Sequence, residues 1–539
     1  MHASLLTGST EAAWSGCISQ EGNTTSSLKA KRARCRNLAL TTSICLIVLV
    51  GAALRFYDLG RESYWFDEVY TVHMAQEGLD QLLAVKELDW PPVYYVLIHY
   101  WVRLFGTAET ATRSFSAVAG VAATTLTYLV GRELFGKSVG LLSALLMAMS
   151  EFQIYYSQET RFYSLFLLAT LVSFLFFIRA LRTNRTSQFL LYAASSVLVF
   201  YCGAFGIFVL AAQNLHFLLR WTKYRETRAK FLLCQGAILL AIAPNLIPNI
   251  LEAKLIVGAG APRMGWIPDP SVWAPLRTVY QYVFPLRHGR SWSAVGVNFG
   301  VGMAFLVIGV LVFAVGDRRE RWIASVRNVL SNKRLLTNNA DELLLVGSWF
   351  LCPIALPFVL SKMVGPMYVD RYTISAAPGF YLLLAFGITS VRRLVPIIVS
   401  LTTLVVLIVP GLGNYYIADV KEQWREVAAY VEANTGDGDV VVFAPDEAGW
   451  QQRSFDWYYQ GSVPSCGMSS AVGGTEAISS AAAACTAGHE RIWLVMRGTA
   501  TSVERFKQFF LEDNQNSMDL IREEQFTGIS VYLFRPADQ

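Results

Sequence analysis

Two short stretches place acidic side chains at the ends of apolar segments: YWFDEVY at 64–70 and YYSQETRFYS at 155–164. A carboxylate in a bilayer costs about 2.5–3.5 kcal/mol at a helix centre, and the residues kept there commonly serve a site. A carboxylate can also take a proton from an attacking hydroxyl group. The sequence therefore predicts that Asp67, Glu68 and Glu159 belong to a site at a membrane surface.

Cationic and aromatic side chains accompany these carboxylates. Arginine binds phosphate through paired hydrogen bonds and can offset its charge while a bond to it breaks. That combination suits group transfer from a lipid phosphate. The residues that we expect to bind substrate are Glu159, Arg161, Tyr163, His288, Arg290, Arg371 and Tyr372.

Each candidate also has an ordinary structural explanation. The acidic pair at 67–68 could cap a helix at the interface, and Glu159 could form an ion pair with Arg161. His288 could be a solvated loop histidine, and Arg371 could snorkel from the start of a span. Tyrosine and tryptophan at such positions commonly form the membrane belt. Only the joint occurrence of these groups on one membrane face favours a functional site.

The composition is that of an integral membrane protein. Of 539 residues, 54% are hydrophobic and 16% are charged, whereas soluble proteins average about 25% charged residues. Apolar runs long enough to cross a bilayer recur through residue 412. The net charge of +5 comes from basic clusters between these runs, which indicates loop charges that set topology and not a nucleic-acid surface. We expect a multi-pass membrane protein.

The basic clusters predict which loops face the cytoplasm. The tail 1–37 is expected to be cytoplasmic and disordered, the transmembrane domain is 38–412, and the loops 57–112 and 251–296 lie outside. The run PPVYYVLIHYWVRLF at 91–105 is only about 15 residues long, and we interpret it as an interfacial helix. Its expected anchors are Trp90, Tyr94, Tyr95, Tyr100 and Trp101.

This assignment gives eleven spans, with the N-terminus inside and the C-terminus outside. The stretch 188–219 contributes two of them, because both of its flanks are basic, and we expect a break near Cys202-Gly203. The expected spans are 38–56, 113–131, 138–156, 161–180, the two within 188–219, 231–250, 297–316, 342–361, 373–390 and 395–412.

Residues 413–539 have the composition of a soluble domain. Strands are expected at 439–445, 491–496 and 530–534, and helices at 423–434 and 504–513. This alternation indicates a small extracytoplasmic α/β domain. Cys466 and Cys485 share this segment and are either a disulfide, if the domain is external, or two free thiols. The fold class predicted is thus an α-helical polytopic membrane protein with about eleven spans and this small C-terminal domain.

The order of segments resembles the GT-C superfamily of polytopic glycosyltransferases, in the bacterial branch similar to protein O-mannosyltransferases and the lipid A aminoarabinose transferase. The stretches that carry the resemblance are LRFYDLGRESYWFDEVYT at 54–71, PPVYYVLIHYWVRLFG at 91–106, RSFSAVAGVAATTLTYLVGRELFG at 113–136, YSQETRFYS at 156–164 and RYTISAAPGFYLLLA at 371–385.

The resemblance implies an inverting transfer of sugar from a polyprenyl-phosphate donor. It also implies that the protein lies in the bacterial cytoplasmic (inner) membrane. By match, Asp67 takes the place of the catalytic acidic residue, with Glu68 beside it, and Glu159 takes the second acidic position. Many relatives have histidine before the two prolines, where this chain has Trp90. Any role of that histidine in donor or metal contact does not carry over.

The leading hypothesis is a membrane glycosyltransferase that acts on the extracytoplasmic side, with Asp67 as general base. Its partners would be the polyprenyl-phosphate sugar, a glycan, lipid or protein acceptor, and membrane lipid, with no nucleic acid. The alternatives are a lipid or solute transporter or flippase, which should show paired halves and charges near mid-span, and a catalytically inactive relative or scaffold. Dependence on a divalent metal stays open: no His/Cys cluster has ligand spacing, but carboxylates can hold a hard cation.

Overall fold

The computed structural model describes residues 25–85, 91–258, 267–283, 339–390, 402, 408–409, 411–444, 446, 449–468, 482, 484–498 and 518–536. The helices in these ranges are α1 Thr25–Phe56, α2 Phe66–Gln76, α3 Leu79–Ala84, α4 Pro92–Phe105, α5 Glu109–Phe135, α6 Lys137–Met149, α7 Glu151–Ser157, α8 Tyr163–Thr183, α9 Thr186–Cys202, α10 Gly206–Leu219, α11 Arg228–Gly258, α12 Ala274–Gln281, α13 Ala340–Met363, a 3₁₀ helix Asp370–Ala376, α14 Ala377–Ser390, α15 Trp424–Asn434 and α16 Trp450–Asp456.

The chain is an integral multi-pass membrane protein. Among the described residues, six helical segments are long and apolar enough to cross a bilayer, or seven if the bent pair α6–α7 counts as one. The span expected at 297–316, most of the span expected at 395–412, and residues 259–266 and 284–296 of the loop lie outside the described residues. The number eleven therefore stays a prediction.

The expected break inside 188–219 is confirmed. Helix α9 ends at Cys202 and α10 begins at Gly206. They contain 17 and 14 residues, fewer than the roughly 20 that a straight crossing needs.

The span expected at 138–156 is not one straight helix, which corrects the sequence-based prediction. Helices α6 and α7 meet at Ser150 with a bend of 61°. The Ser150 hydroxyl accepts a hydrogen bond from the Gln153 amide and so caps α7. Because of the break, the last carbonyl groups of α6 have no backbone amide to accept from. The buried Arg55 guanidinium donates instead to the carbonyl oxygens of Met147 and Ala148, at 3.0 and 3.1 Å. Side-chain capping at both ends thus lets the helix turn sharply.

Helices α5 and α6 form a tight hairpin. A Cβ placed on Gly131 would lie 2.8 Å from the Gly140 Cα atom. Small residues permit this close backbone approach, which is a common way of packing helices in membranes. The hairpin fixes α5, whose opposite end lines the candidate site described below.

The C-terminal part is an α/β domain, as expected. Its sheet has the order β2-β1-β3-β5-β4; the strands are β1 Asp439–Phe443, β2 Ser465–Gly467, β3 Arg491–Arg497, β4 Met518–Phe526 and β5 Ile529–Pro536. Strand β1 is parallel to β2 and β3, whereas β5 is antiparallel to β3 and β4. The short β2 and the polar, exposed β4 lacked an apolar strand pattern in the sequence. The helix expected at 504–513 lies outside the described residues.

A disulfide joins Cys466 to Cys485, with Cα atoms 5.8 Å apart, so the bonded alternative holds. Both cysteines lie on one face of the sheet with Val440, Val442 and Ile492. Helix α15 packs on the opposite face through Trp424, Val427 and Val431.

Candidate active site

Helix α2 carries the acidic pair that the sequence singled out. It begins after Trp65, and the Glu68 carboxylate accepts from the Trp65 backbone amide at 3.5 Å, which forms one half of a capping box. Asp67 and Glu68 both lie in the first turn, where the helix dipole favours negative charge. Successive residues are rotated by about 100° in a helix, so the two carboxylates point into different surroundings.

Glu68 is fully buried and its carboxylate is saturated with donors. Arg113 donates to its two oxygens at 2.8 and 2.7 Å. The Thr160 amide and the Lys421 ammonium group also donate hydrogen bonds to this carboxylate, at 2.8 and 3.0 Å. Burial alone would raise the pKa of Glu68, but the charges of Arg113 and Lys421 outweigh it and lower the pKa to about 2. Glu68 is thus a fixed anion that ties α2 to α5 and to two other segments.

Arg113 extends this network to the loop before α2. Its guanidinium also donates to the carbonyls of Leu59, Glu62 and Ser63 at 2.8–2.9 Å. A single buried side chain therefore fixes both the loop and the helix that present Asp67.

Asp67 is partly exposed, with 18% of its side chain accessible, and it faces two arginines. Its Oδ2 atom lies 3.8 Å from a guanidinium nitrogen of Arg161 and 3.9 Å from one of Arg371. Among the described residues, no donor forms a hydrogen bond to either carboxylate oxygen of Asp67. The Asp67 carboxylate therefore faces two guanidinium groups, and no hydrogen-bond donor of the described residues occupies its oxygens.

The turn that follows α7 supplies Glu159 and Arg161. Arg161 donates to the Thr71 hydroxyl at 2.9 Å and to the Asp67 carbonyl at 3.3 Å, which fixes its guanidinium against α2. Glu159 is only 1% exposed, and its Oε2 atom has no hydrogen-bond partner among the described residues. Burial raises the pKa of Glu159 to about 7, against the opposing field of Lys421.

Aromatic rings form the wall around the two arginines. The Arg371 guanidinium lies 5.7 Å from the Trp65 ring centroid and 5.6 Å from that of Tyr372. Tyr372 stacks on Phe205 at 4.6 Å. The buried Tyr163 hydroxyl has no partner among the described residues. Cations over aromatic faces are stabilised and oriented, so the wall fixes where positive charge is presented.

The structure brings together seven of the sequence-predicted site residues: Asp67, Glu68, Glu159, Arg161, Tyr163, Arg371 and Tyr372. His288 and Arg290 lie outside the described residues, as does Trp90. In helix α4, Tyr94 and Tyr95 are buried against protein, whereas Tyr100 is exposed. The Tyr95 hydroxyl accepts a hydrogen bond from Arg161 at 3.4 Å. Tyr95, which was expected to be a membrane anchor, thus contacts a residue of the site.

Two residues that contact Glu68, Arg113 and Lys421, were not among the site residues predicted from the sequence. Arg113 opens the predicted span 113–131 and has the appearance of an interfacial flank. Lys421 stands 353 positions from Glu68 in the chain, in a polar stretch that resembles a linker. The only available signal was unbalanced charge, since a buried acidic site needs cationic partners.

Among the described residues, the site does not provide a cluster of metal ligands. Within the described ranges, no group of three or more His, Cys, Asp or Glu side chains is placed to hold one. Both oxygens of Glu68 are occupied by donors, and Asp67 is flanked by guanidinium groups. We assign no chemical step to a metal.

Comparisons with known proteins agree with this architecture. Residues 89–247 match the family model described as dolichyl-phosphate-mannose-protein mannosyltransferase. The structure superposes on ArnT from Cupriavidus metallidurans bound to undecaprenyl phosphate with a TM-score of 0.54 and 11% identity, covering 92% of this chain and 98% of that one. The chain has the GT-C fold.

Two further matches are partial or distant. The Archaeoglobus fulgidus oligosaccharyltransferase, solved with Zn and sulfate, superposes with a TM-score of 0.50 and 12% identity over 91% of this chain and 72% of that one. An uncharacterized protein of Aquifex aeolicus is 31% identical over 114 residues, which are 20% of this chain. The chain thus spans 23% of the length of that curated relative.

Proposed function

We propose that this protein is a glycosyltransferase that moves a sugar from a polyprenyl-phosphate donor to an acceptor on the extracytoplasmic side. The observation that carries the proposal is the placement of one accessible carboxylate, Asp67, between the guanidinium groups of Arg161 and Arg371. The fold shared with a structure that binds undecaprenyl phosphate supports it. So does the partial match to a mannosyltransferase family.

The chemical step is a single displacement at the anomeric carbon. Asp67 takes the proton of the acceptor hydroxyl while the hydroxyl oxygen of the acceptor forms a bond to the anomeric carbon. The bond from the carbon to the phosphate oxygen breaks, and its electrons leave with the polyprenyl phosphate. Attack opposite the leaving group inverts the anomeric configuration.

Arg161 and Arg371 are the groups that would hold the departing phosphate. They carry fixed positive charge in a largely buried setting, with 14% and 18% of their side chains exposed. Charge placed in advance where anionic charge develops is usually a large contribution to catalysis. The same arginines can bind the donor phosphate before reaction through forked hydrogen bonds.

The distribution of charge supports an extracytoplasmic site. The site lies at the beginning of α5, of α8 and of the 3₁₀ helix. Arginines at the opposite ends of the bundle form ion pairs, as in Arg182–Glu342 and Arg220–Asp341. Because arginine and lysine are enriched in cytoplasmic loops, that end would face the cytoplasm. The membrane would be the bacterial inner membrane, with the N-terminus inside and the α/β domain outside.

The test uses the purified full-length protein in detergent, incubated with radiolabelled undecaprenyl-phosphate sugars and a cell-envelope lipid and glycan fraction. We expect release of undecaprenyl phosphate together with label in the acceptor fraction. Intact donor with every sugar, combined with movement of the labelled lipid across reconstituted vesicles, would instead establish the flippase alternative.

A further inference from the structure

Lys421 is a buried lysine that reaches the site from outside the transmembrane bundle. It belongs to the segment between residue 411 and α15, which leads into the C-terminal domain. Its side chain is 2% exposed, and its ammonium group donates to Glu68 Oε2 at 3.0 Å and to the Gln158 carbonyl at 2.8 Å. A buried ammonium group is costly unless it is paired, so these contacts hold the segment firmly in one position.

Lys421 and its ion-pair partner Glu68 hold the backbone on the two sides of Glu159. On one side, Lys421 binds the carbonyl of Gln158. On the other side, the amide of Thr160 donates to Glu68 at 2.8 Å. The Lys421–Glu68 ion pair therefore clamps the backbone immediately before and after Glu159, two residues from Arg161.

Other residues of the same segment fasten it to the site. The Tyr415 hydroxyl donates to the Gln158 side chain at 2.6 Å, and the Ser63 hydroxyl donates to the Glu422 carbonyl at 2.7 Å. The amide of Lys421 itself donates to Glu62 at 3.1 Å. The entry to the C-terminal domain is thus packed into the network that presents Asp67.

We propose that Lys421 is a positioning residue of the active site, supplied by the entry segment of the C-terminal domain, which fixes the turn carrying Glu159 and Arg161 and supplies Glu159 with a counter-charge. The inference rests on the proposed glycosyl transfer for its effect on rate, but its effect on Glu159 is independent of any reaction. The entry segment of the C-terminal domain then contributes a residue to the site.

The charges around Glu159 determine the sign of the expected effect. Glu159 is faced by Glu68 from α2, Lys421 from the entry segment, Arg371 from the 3₁₀ helix and the Tyr155 hydroxyl from α7. Lys421 favours the ionised carboxylate and Glu68 opposes it. Removing the ammonium group while Glu68 stays paired with Arg113 should raise the pKa of Glu159 by about 1–3 units.

The test is an infrared titration of the full-length protein in detergent. The band of the Glu159 carboxylic acid is identified as the one that Glu159→Gln removes. In Lys421→Gln, which keeps a hydrogen-bond donor but loses the charge, its titration midpoint should rise by about 1–3 pH units. Lys421→Arg should restore most of the wild-type midpoint. The matched control is Lys362→Met, because Lys362 is 40% exposed and pairs with Asp269 at 3.8 Å.

Sugar transfer provides the second readout. If the turn is misplaced, single-turnover transfer by Lys421→Gln should fall about ten- to hundredfold, and Lys421→Arg should recover part of it. An unchanged midpoint in Lys421→Gln would overturn the inference, even if the rate fell. Absence of transfer by the wild-type protein would overturn the proposed function alone, because the infrared titration needs no turnover.

Discussion

At the residue scale, the adjacent carboxylates of Asp67 and Glu68 are separated by their surroundings. Glu68 accepts hydrogen bonds from Arg113, Lys421 and the backbone of Thr160, and so cannot readily accept a proton. Asp67 is partly exposed and faces its arginines at 3.8 and 3.9 Å. The geometry thus favours the acid–base role for Asp67 and a positional role for Glu68.

Glu68→Gln should mainly destabilise the protein and should reduce transfer less than Asp67→Asn does. The pKa of Glu68 is lowered to about 2 in the folded protein, so its ionisation stabilises the fold by roughly 3 kcal/mol above its unfolded pKa. That stabilisation is lost as the pH falls from about 4.5 towards 2. Thermal unfolding of the wild-type protein and of Glu68→Gln between pH 3 and 7 should show a difference in stability that becomes smaller towards acid pH. A constant difference would count against an ionised Glu68.

Arg161 and Arg371 should be needed for use of the donor. Lysine keeps the charge but loses the forked donor geometry, so Arg→Lys at either position should weaken donor use, and Arg→Ala should weaken it further. The measurement is kcat/KM for the polyprenyl-phosphate sugar with purified enzyme, and Arg277→Lys, an exposed arginine paired with Asp370, serves as control. Wild-type kcat/KM in both alanine variants would contradict the placement of the donor phosphate between these arginines.

Sequence patterns identified the acidic and cationic groups that meet in the site, but not their roles. Asp67 and Glu68 are both acidic residues in one turn, and only burial and partners distinguish them. Lys421 could not be placed because its contact with Glu68 depends on how the C-terminal domain folds back onto the loop before α2.

At the scale of elements, the amphipathic and apolar patterns predicted most helices and the central strands. The break at Ser150 was missed because apolar residues continue across it, although Ser150 and Gln153 have the spacing of a capping box. Strand β4 was missed because most of its side chains are exposed, and an edge strand of that kind has no hydrophobic alternation.

The disulfide between Cys466 and Cys485 should stabilise the α/β domain. Its ends are 19 positions apart, and closing a loop of that size is worth about 3 kcal/mol in the chain-entropy account. Non-reducing peptide mapping should recover the two cysteines linked, and the Cys466→Ser/Cys485→Ser protein should unfold at a lower temperature. Free thiols at both positions in the protein isolated from membranes would contradict the bond.

At the scale of the whole molecule, the fold places Asp67 under the α/β domain, and the orientation proposed above makes a direct prediction. Thr222 and Ser462 are both exposed. Cysteines introduced at these positions should react with a membrane-impermeant maleimide from opposite sides, Ser462 from outside and Thr222 only after permeabilisation. Labelling of both from one side would refute the eleven-span arrangement.

The whole account depends on Asp67 acting as the base of a sugar-transfer reaction. Single-turnover transfer from a polyprenyl-phosphate sugar by Asp67→Asn tests it most directly, because the substitution is nearly isosteric and removes the proton acceptor. General base catalysis contributes about 10²–10⁴-fold, so we expect transfer to fall by at least that order while the unfolding temperature stays near that of the wild type. A normally folded Asp67→Asn protein that transfers sugar at the wild-type rate would contradict the assignment.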